Sequence, residues 1–302
     1  MSHDWVIAAV SARNEGLSDL VTGAVFAAGA VPGSWTPLAD SGPLHAGFLP
    51  FRASVETAAN VRATIETTTG LEIDLAILPA SQFGRKRLLI SDMDSTIIGQ
   101  ECIDEIADAV GLKAKISEIT ERAMRGELDF EAALTERVAM LKGLPLGALA
   151  RTLEERITLN PGARTLIATM KAHGARTLLV SGGFTYFTAR VADLAGFESH
   201  QGNTLIDDGA ALTGEVGRPI LGREAKRTAL LEAAAALGAG PEDTLAMGDG
   251  ANDLDMIRAS GLGVAYRAKP VVAAEASGSI RHTDLTAALF FQGYKASEFV
   301  RD

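Results

Sequence analysis

Two carboxylates lie two residues apart in residues 92–96, which have the sequence DMDST. Asp92 and Asp94 follow an apolar run at 88–90, a pattern typical of a buried parallel strand that ends in a loop. The carboxyl ends of such strands carry the ligand sites of open α/β sheets. Two like charges so close repel each other, and a hard divalent cation with oxygen ligands would relieve that repulsion. Taken alone, the segment is also compatible with a solvated Asx turn.

Three further features lie downstream. A strand-like run at 177–180 ends in the sequence SGG, and another at 244–247 ends in GDGAND at 248–253. Lys226 lies between them. A serine hydroxyl and glycine amides can bind phosphate oxygens at the start of a helix, and a lysine can neutralise phosphoryl charge. Each feature alone is an ordinary turn or a surface lysine, so the inference depends on finding them together.

The order DMDST, SGG, lysine and GDGAND resembles that of the haloacid dehalogenase superfamily of phosphotransferases, and most closely that of its phosphoserine phosphatases. The resemblance runs from about Arg87 to the C-terminal region. It implies Mg²⁺-dependent hydrolysis of O-phospho-L-serine to L-serine and phosphate through an aspartyl-phosphate, the last step of serine biosynthesis. The four motifs in this order are highly specific, although any one of them alone is not.

The resemblance gives the chemistry to three side chains. Asp92 is expected to attack phosphorus, because a carboxylate can carry a covalent phospho-intermediate. Asp94 is expected to protonate the departing alkoxide and later to deprotonate the attacking water, which requires one group within reach of both. Lys226 is expected to neutralise charge on the transferring phosphoryl group.

The resemblance also implies a Mg²⁺ site. Its expected protein ligands are the Asp92 carboxylate, the Asp94 backbone carbonyl and Asp249. Asp253 is expected to orient a metal-bound water or Lys226. Mg²⁺ usually keeps several waters and uses few protein carboxylates, which fits this small set.

Substrate recognition is expected to involve seven residues, which the resemblance implies. Phosphoserine carries an ammonium and a carboxylate beyond its phosphate, and an acidic side chain and a guanidinium would complement that pair. Three of these residues lie in the predicted cap, and each alone has an ordinary explanation. Glu101 could be a helix N-terminal acid, Arg137 a solvated arginine and Phe130 a core aromatic. The expected substrate-binding residues are Glu101, Phe130, Arg137, Ser181, Gly182, Gly183 and Asn252.

The predicted fold class is α/β, with a doubly wound, Rossmann-like parallel-sheet core in residues 87–302. Helical spacing in residues 100–160 predicts an all-helical cap inserted after the first motif, with Asp129 as a helix N-cap. Residues 1–80 carry alternating strand-like and helix-like runs that predict a small α/β sandwich, and the resemblance to longer bacterial relatives implies an ACT-like, regulatory role. Residues 81–86 are interpreted as a linker.

Composition is compatible with a soluble enzyme. Apolar residues make up 47% of the 302 residues, and 28 basic against 38 acidic side chains give a formal charge of −10. We expect no nucleic-acid partner, which would need a basic face, and no membrane segment. The one cysteine excludes an internal disulfide and suits the cytoplasm. The expected partner is the small substrate, with a homodimer through the N-terminal domain left open.

Two alternatives remain at this stage. A related phosphatase or phosphotransferase of the superfamily could act on another small phosphomonoester. The chain could instead be an amino-acid-sensing protein with a vestigial phosphatase domain. The presence of Asp92, Asp94, Lys226 and Asp249 argues against the second alternative.

Overall fold

The computed structural model describes residues 2–13, 16–39, 42–67, 71–124 and 127–301. Its N-terminal unit contains, in chain order, β1 (His3–Ser11), α1 (Leu17–Ala27), β2 (Val31–Pro32), β3 (Thr36–Ala39), β4 (His45–Ala53), α2 (Val55–Thr67) and β5 (Ile73–Pro79). Its strands lie in the antiparallel order β2-β4-β1-β5, and apolar residues of α1 and α2 pack on the sheet. This is a split β-α-β arrangement with its helices covering the sheet.

The strand-like runs at 5–10 and 71–78 form β1 and β5, and the helix-like runs at 17–28 and 55–67 form α1 and α2. The sequence predicted neither the short β2 and β3 nor the longer β4. Gly47 and Pro50 lie inside it, and both residue types are depleted in strands. The structure explains why these two residue types occur at these positions of the strand. A Cβ on Gly47 would lie 2.3 Å from Cζ2 of Trp35, and the Pro50 carbonyl accepts a hydrogen bond from the Gly33 amide at 2.7 Å.

The helical cap predicted at residues 100–160 is confirmed. It comprises α3 (Cys102–Ala109), α4 (Lys113–Met124), α5 (Phe130–Ala139) and α6 (Leu146–Arg156). Asp129 caps α5 as expected, since its side chain accepts a hydrogen bond from the Ala132 amide at 2.8 Å. Apolar side chains of the cap, such as Ile106 and Leu134, belong to the main hydrophobic cluster of the molecule. The cap is therefore packed onto the core and is not a separate body.

The core alternates strands and helices. Its elements are β6 (Leu88–Ser91), α7 (Ala163–Ala172), β7 (Arg176–Phe184), α8 (Thr185–Ala195), β8 (Ser199–Asn203), β9 (Leu205–Asp207), β10 (Leu212–Val216), α9 (Arg223–Ala236), β11 (Thr244–Gly248), α10 (Leu254–Ala259), β12 (Leu262–Tyr266), α11 (Pro270–Glu275), β13 (Gly278–Ile280) and α12 (Ala287–Phe290). β9 and β10 pair antiparallel and form a hairpin. None of the helices in the described part of the chain combines the length and apolar character needed to cross a bilayer.

The core strands lie in the order β13-β12-β11-β6-β7-β8, and all neighbours in this row are parallel. The strand order reverses between β6 and β11, because the chain proceeds from β6 towards β8 and then returns to β11. Doubly wound sheets bind their ligands at this switch point, outside the carboxyl ends of the strands. The predicted fold class is confirmed, and the switch point lies between the strands that precede DMDST and GDGAND.

The N-terminal unit shares the sheet of the core, which the sequence did not predict. β5 pairs antiparallel with β13, and the combined sheet has eleven strands. The segment interpreted as a linker is also packed: Lys86 is buried, and its Nζ donates to the carbonyls of Gln82 at 2.6 Å and Glu242 at 2.8 Å. The two units are therefore joined by strand pairing and by the hydrogen bonds of a buried lysine.

One predicted element boundary is wrong. The apolar run predicts that the second core strand ends at residue 180 and that SGG lies at the start of the next helix. In the structure β7 continues through Phe184, and α8 begins at Thr185. The pairing of β7 with β8 shifts register between Val180 and Phe184. A bulge of this kind turns backbone groups out of the ladder, so that they are free to face a ligand.

Candidate active site

The switch point of the sheet brings Asp92 and Asp249 together. Asp92 follows β6, and its amide donates to the carbonyl of Met247 in β11 at 2.9 Å. This bond extends the β6–β11 ladder past Ser91 and fixes the Asp92 backbone beside the end of β11. The Asp92 side chain is buried, and its Oδ1 accepts a hydrogen bond from the Met93 amide at 2.8 Å.

Lys226 lies between two buried carboxylates. Its Nζ is 2.8 Å from Oδ2 of Asp92 and 2.6 Å from Oδ1 of Asp253. All three side chains are almost wholly buried. The other Asp253 oxygen accepts a hydrogen bond from the Gly250 amide at 3.0 Å. Asp253 therefore has both oxygens occupied and holds Lys226 against Asp92.

Burial and charge shift the pKa values of this cluster. Burial by itself would lower the pKa of Lys226, but attraction to Asp253 and Asp92 outweighs it and raises that pKa. Burial and then the Asp253 charge raise the pKa of Asp92, with Lys226 opposing them. Burial and Asp253 also raise the pKa of Asp249 to about 6. The site thus has an excess of buried negative charge that a cation would stabilise.

The geometry fits a hard divalent metal. Carboxylate oxygens of Asp92, Asp249 and Asp253 lie within 4.8 Å of one another. Oxygen donors alone are the ligand set that Mg²⁺ prefers. Because Asp253 is already bonded to Lys226 and Gly250, its expected role outside the direct ligands is compatible with this arrangement. The Asp94 carboxylate is not part of the cluster, as expected if only its carbonyl binds metal.

Asp94 faces the second core strand. Its Oδ1 accepts a hydrogen bond from the Cys102 amide at 3.0 Å, and its Oδ2 accepts one from the Ser181 hydroxyl at 3.3 Å. A Cβ on Gly183 would lie 2.8 Å from Oδ2 of Asp94, so only glycine leaves room for this carboxylate. The Ser181 hydroxyl also accepts a hydrogen bond from the Gly183 amide at 2.8 Å. The first and second motifs are therefore in direct contact.

Phe130 brings the cap to residues 181–183, the SGG segment of β7 that the sequence predicts to be a phosphate-binding turn. A Cβ on Gly182 would lie 3.1 Å from Cζ of Phe130, and a Cβ on Gly222 would lie 3.4 Å from its Cδ1. The Phe130 ring is partly exposed, at 37%. An aromatic ring of the cap thus covers two glycines, one in β7 and one at the start of α9.

Glu101 and Arg137 lie on the cap side of the site. Glu101 accepts a hydrogen bond from the Ser95 hydroxyl at 2.7 Å, and desolvation by surrounding protein and then the Asp94 charge raise its pKa to about 7. The Arg137 Nε donates to the Ala133 carbonyl at 3.3 Å, and burial lowers its pKa while Asp104 and Glu101 oppose this. Among the described residues, no carboxylate lies within 4.0 Å of the Arg137 guanidinium. The remaining donors of Arg137 are therefore available to a ligand anion.

The structure adds residues that sequence reasoning missed. Ser95 has a φ of 55°, a strained value for a non-glycine residue, in the loop that carries Asp92 and Asp94. A Cβ on Gly248 would lie 2.3 Å from Cγ of Asp253, so the glycine makes room for that carboxylate. Asn203 hydrogen-bonds the phosphate-binding turn. Gly248 is the first residue of GDGAND, so its motif position was a signal in the sequence. Asn203 lies outside every motif and had no such signal.

Comparison with known proteins identifies the class to which this site belongs. The model of the haloacid dehalogenase-like hydrolase family matches residues 89–258, which include every catalytic motif described above. A phosphoserine phosphatase of Polaromonas sp. strain JS666 is 44% identical over 225 residues, which cover 73% of this chain and 95% of the relative. The chain therefore belongs to the haloacid dehalogenase-like hydrolases and, within them, to the phosphoserine phosphatase family.

Two solved structures extend the comparison. The unliganded crystal structure of a probable phosphoserine phosphatase from Vibrio cholerae matches with a TM-score of 0.75 and 30% identity, covering 98% of this chain and 88% of that one. A phosphoserine phosphatase described as a phospho-aspartyl intermediate analogue matches with a TM-score of 0.62 and 38% identity, covering 68% of this chain and 98% of that one. The first of these matches includes the N-terminal unit, whereas the second leaves about a third of this chain unmatched.

Proposed function

We propose that this protein hydrolyses O-phospho-L-serine to L-serine and phosphate. The observation that carries the proposal is the buried Asp92 carboxylate, held 2.8 Å from Lys226 Nζ at the switch point, below a cap that carries Glu101 and Arg137. The similarity to phosphoserine phosphatases over nearly the whole length of the Polaromonas relative supports the choice of substrate.

In the proposed first step, an Asp92 oxygen attacks phosphorus and the ester bond to the serine oxygen breaks. Lys226 balances charge on the phosphoryl oxygens and on Asp92. Ser181 and the backbone of Gly182 and Gly183 hold phosphate oxygens at the bulge in β7. The product of this step is an aspartyl-phosphate on Asp92 and free serine.

Asp94 is proposed to act in both halves of the reaction. In the first half it gives a proton to the departing serine oxygen. In the second it takes a proton from the water that attacks the aspartyl-phosphate, which releases phosphate and restores Asp92. Its hydrogen bonds from the Cys102 amide and Ser181 keep the carboxylate directed towards the phosphate-binding turn.

Mg²⁺ is the proposed metal, bound by the Asp92 carboxylate, the Asp94 backbone carbonyl and Asp249. When bound, it would stabilise negative charge on the phosphoryl group and offset repulsion between that group and Asp92. Asp253 keeps Lys226 in place beside the site. Asn252, from the same loop as Asp249, is proposed to contact the phosphate.

Recognition of the serine moiety is assigned to the cap. The free guanidinium donors of Arg137 would bind the substrate carboxylate, and Glu101 would bind its ammonium. Phe130 would exclude water from the phosphate-binding turn, which strengthens the electrostatic interactions of the site.

A substrate panel tests this proposal. Purified protein is assayed with O-phospho-L-serine, phosphohomoserine, a generic sugar phosphate and an aryl phosphate, after chelation and after Mg²⁺ is added back. We expect phosphoserine to have the highest kcat/KM and activity to require Mg²⁺. Preference for another ester would overturn the substrate assignment, and full activity in the metal-free protein would overturn the metal assignment.

The remaining assignments are proposals as well. We propose an ACT-like regulatory domain in residues 1–80, a linker at 81–86 and the phosphatase domain in 87–302, with a cytoplasmic location and a homodimer through the N-terminal domain. The split β-α-β order of the N-terminal unit supports the first of these, and the buried free thiol of Cys102 is compatible with a reducing compartment.

A further inference from the structure

Asn203, the last residue of β8, joins two parts of the active site that are distant in sequence. Its side chain is 2% exposed. Its Nδ2 donates to the carbonyls of Gly182 at 2.8 Å and Leu221 at 3.1 Å, and its Oδ1 accepts from the Leu221 amide at 2.7 Å. Both amide donors and the acceptor of this buried side chain are therefore used, as burial of a polar group requires.

Each hydrogen-bond partner of Asn203 lies close in sequence to a residue of the proposed active site. Gly182 belongs to the phosphate-binding turn at the bulge in β7, between Ser181 and Gly183. Leu221 precedes Gly222, the residue before α9, and α9 carries Lys226 one turn later. The Lys226 amide donates to the Gly222 carbonyl at 3.4 Å, so the start of α9 and the lysine move together.

The same two segments contact the cap at Phe130. The Phe130 ring packs against both Gly182 and Gly222. A Cβ added to either glycine would lie 3.1 Å or 3.4 Å, respectively, from a carbon of the ring. The distance between these two glycines therefore determines the position of the Phe130 ring. Asn203 lies beneath them and ties the Gly182 carbonyl to the residue that precedes Gly222.

We propose that Asn203 is a positioning residue that fixes the phosphate-binding turn relative to the start of the lysine-bearing helix α9. It touches neither the substrate nor Lys226, and acts through Gly182 and Leu221. The inference rests on the proposed phosphatase function and names a residue that no catalytic motif of the chain contains.

The chemistry of the side chain explains why an amide is required. Two of its bonds need a donor facing carbonyl oxygens, and the third needs an acceptor facing an N–H. In Asn203→Asp, both donors are lost and a buried negative charge faces two carbonyls. In Asn203→Ser, the side chain is neutral but too short to span the two segments. Both variants free the Gly182 turn from α9, and only the first adds a charge.

The test measures phosphate binding and turnover in the full-length, Mg²⁺-loaded enzyme. Asn203→Ser is the main variant because it buries no charge, and Asn203→Asp is the second. Gln201→Ala, at an exposed position on the same strand, is the matched control. The readouts are the inhibition constant of inorganic phosphate and kcat/KM for phosphoserine and for an aryl phosphate, measured well below the melting temperature of each variant.

We expect Asn203→Ser to weaken inhibition by inorganic phosphate about 10-fold or more, on the scale of the three lost hydrogen bonds. Because the defect lies in the phosphate subsite, kcat/KM should fall by a similar factor for both esters. Asn203→Asp should lose more, and Gln201→Ala should behave as the wild type. This pattern differs from that of a residue that reads the serine moiety, for which the aryl phosphate would be spared.

A wild-type inhibition constant in a folded Asn203→Ser protein would overturn the proposal, even if its melting temperature falls. A loss confined to phosphoserine would overturn it as well. The proposed function fails separately, if the wild type hydrolyses the aryl phosphate but not phosphoserine. In that case the inhibition constant and the aryl phosphate still decide the role of Asn203.

Discussion

A small cluster of buried charged side chains lies at the centre of this site. Lys226 and two aspartates lie within hydrogen-bonding distance in a nearly solvent-free position. A buried charge is stable only when it is paired, and removal of one member leaves the others uncompensated. Because acids are in excess, we expect the site to tolerate neutral replacement of an acid better than loss of the lysine.

At this scale we predict that Asp92→Asn abolishes multiple turnover while the protein remains folded. An amide cannot attack phosphorus in place of the carboxylate, but it keeps the shape and can accept a hydrogen bond from Lys226. Turnover of phosphoserine is measured on protein whose mass shows no deamidation, and folding is followed by circular dichroism. Sustained turnover by intact Asp92→Asn protein would show that another residue is the nucleophile.

Arg137→Ala should reduce kcat/KM for phosphoserine roughly 10²-fold, the scale of a lost charge-assisted hydrogen-bonded pair. An aryl phosphate lacks the carboxylate that Arg137 is proposed to bind, so its kcat/KM should hardly change. Arg137→Lys should restore little, because a point charge cannot reproduce the guanidinium fork. Equal losses on both substrates would instead assign Arg137 to the structure of the cap.

At the scale of elements, the β9–β10 hairpin of the core braces the cap. The Gly143 amide donates to the Leu212 carbonyl at 2.8 Å, and the Leu212 amide donates to the Leu144 carbonyl at 2.9 Å. Arg218, just after the hairpin, forms a 3.0 Å ion pair with Glu131 of α5. The helix that carries Phe130 and Arg137 is thus held at both ends by the segment that follows Asn203.

The hairpin offers a matched pair of glycines for a test. Gly214 and Gly209 have similar φ values, 84° and 89°. A Cβ on Gly214 would lie 2.9 Å from Cβ of Lys142 in the cap, whereas a Cβ on Gly209 would have nothing within 4 Å. Alanine at either position therefore has the same free-energy cost of adopting a positive φ. Only alanine at position 214 would also contact the cap.

We predict that Gly214→Ala lowers the free energy of unfolding by about 1–3 kcal/mol more than Gly209→Ala, the usual cost of overpacking. It should also raise KM for phosphoserine, because α5 carries Arg137. Urea denaturation and steady-state kinetics on both variants measure these effects. If the two variants are equally stable and equally active, the hairpin does not brace the cap.

At the scale of the whole molecule, the N-terminal unit is joined to the catalytic core by a buried carboxylate. Asp74 of β5 is 1% exposed and accepts hydrogen bonds from the backbone amides of Arg281, His282 and Thr283, which follow β13. The junction thus combines pairing of β5 with β13 and a carboxylate that orders the loop beyond β13.

Asp74→Ala should destabilise the protein by about 2–4 kcal/mol, since several buried amides would lose a charged acceptor. Asp4→Ala serves as the control on the same unit, because the Asp4–Arg52 pair is exposed and worth at most about 1 kcal/mol. Urea unfolding followed by tryptophan fluorescence reports on the N-terminal unit, where Trp5 and Trp35 lie. Similar stabilities for the two variants would mean that Asp74 contributes little to the junction.

The sequence by itself determined the α/β fold class, the helical cap and the motifs that meet at the site. Strand–helix alternation is a local property, and DMDST, SGG and GDGAND each follow an apolar run whose end predicts their position. The structure brings Asp92, Asp249, Asp253 and Lys226 together, as their positions at strand and helix ends implied. The roles of these residues in catalysis and metal binding remain predictions.

Only the tertiary structure decided the features that depend on contacts distant in sequence. β4 was missed because its Gly47 and Pro50 oppose strand formation locally and are compensated by Trp35 and Gly33. The pairing of β5 with β13 and the three hydrogen bonds of Asn203 connect segments that no local pattern relates. Local propensity is encoded over a few residues, whereas the partner of a strand edge or a buried amide is set by how the whole chain packs.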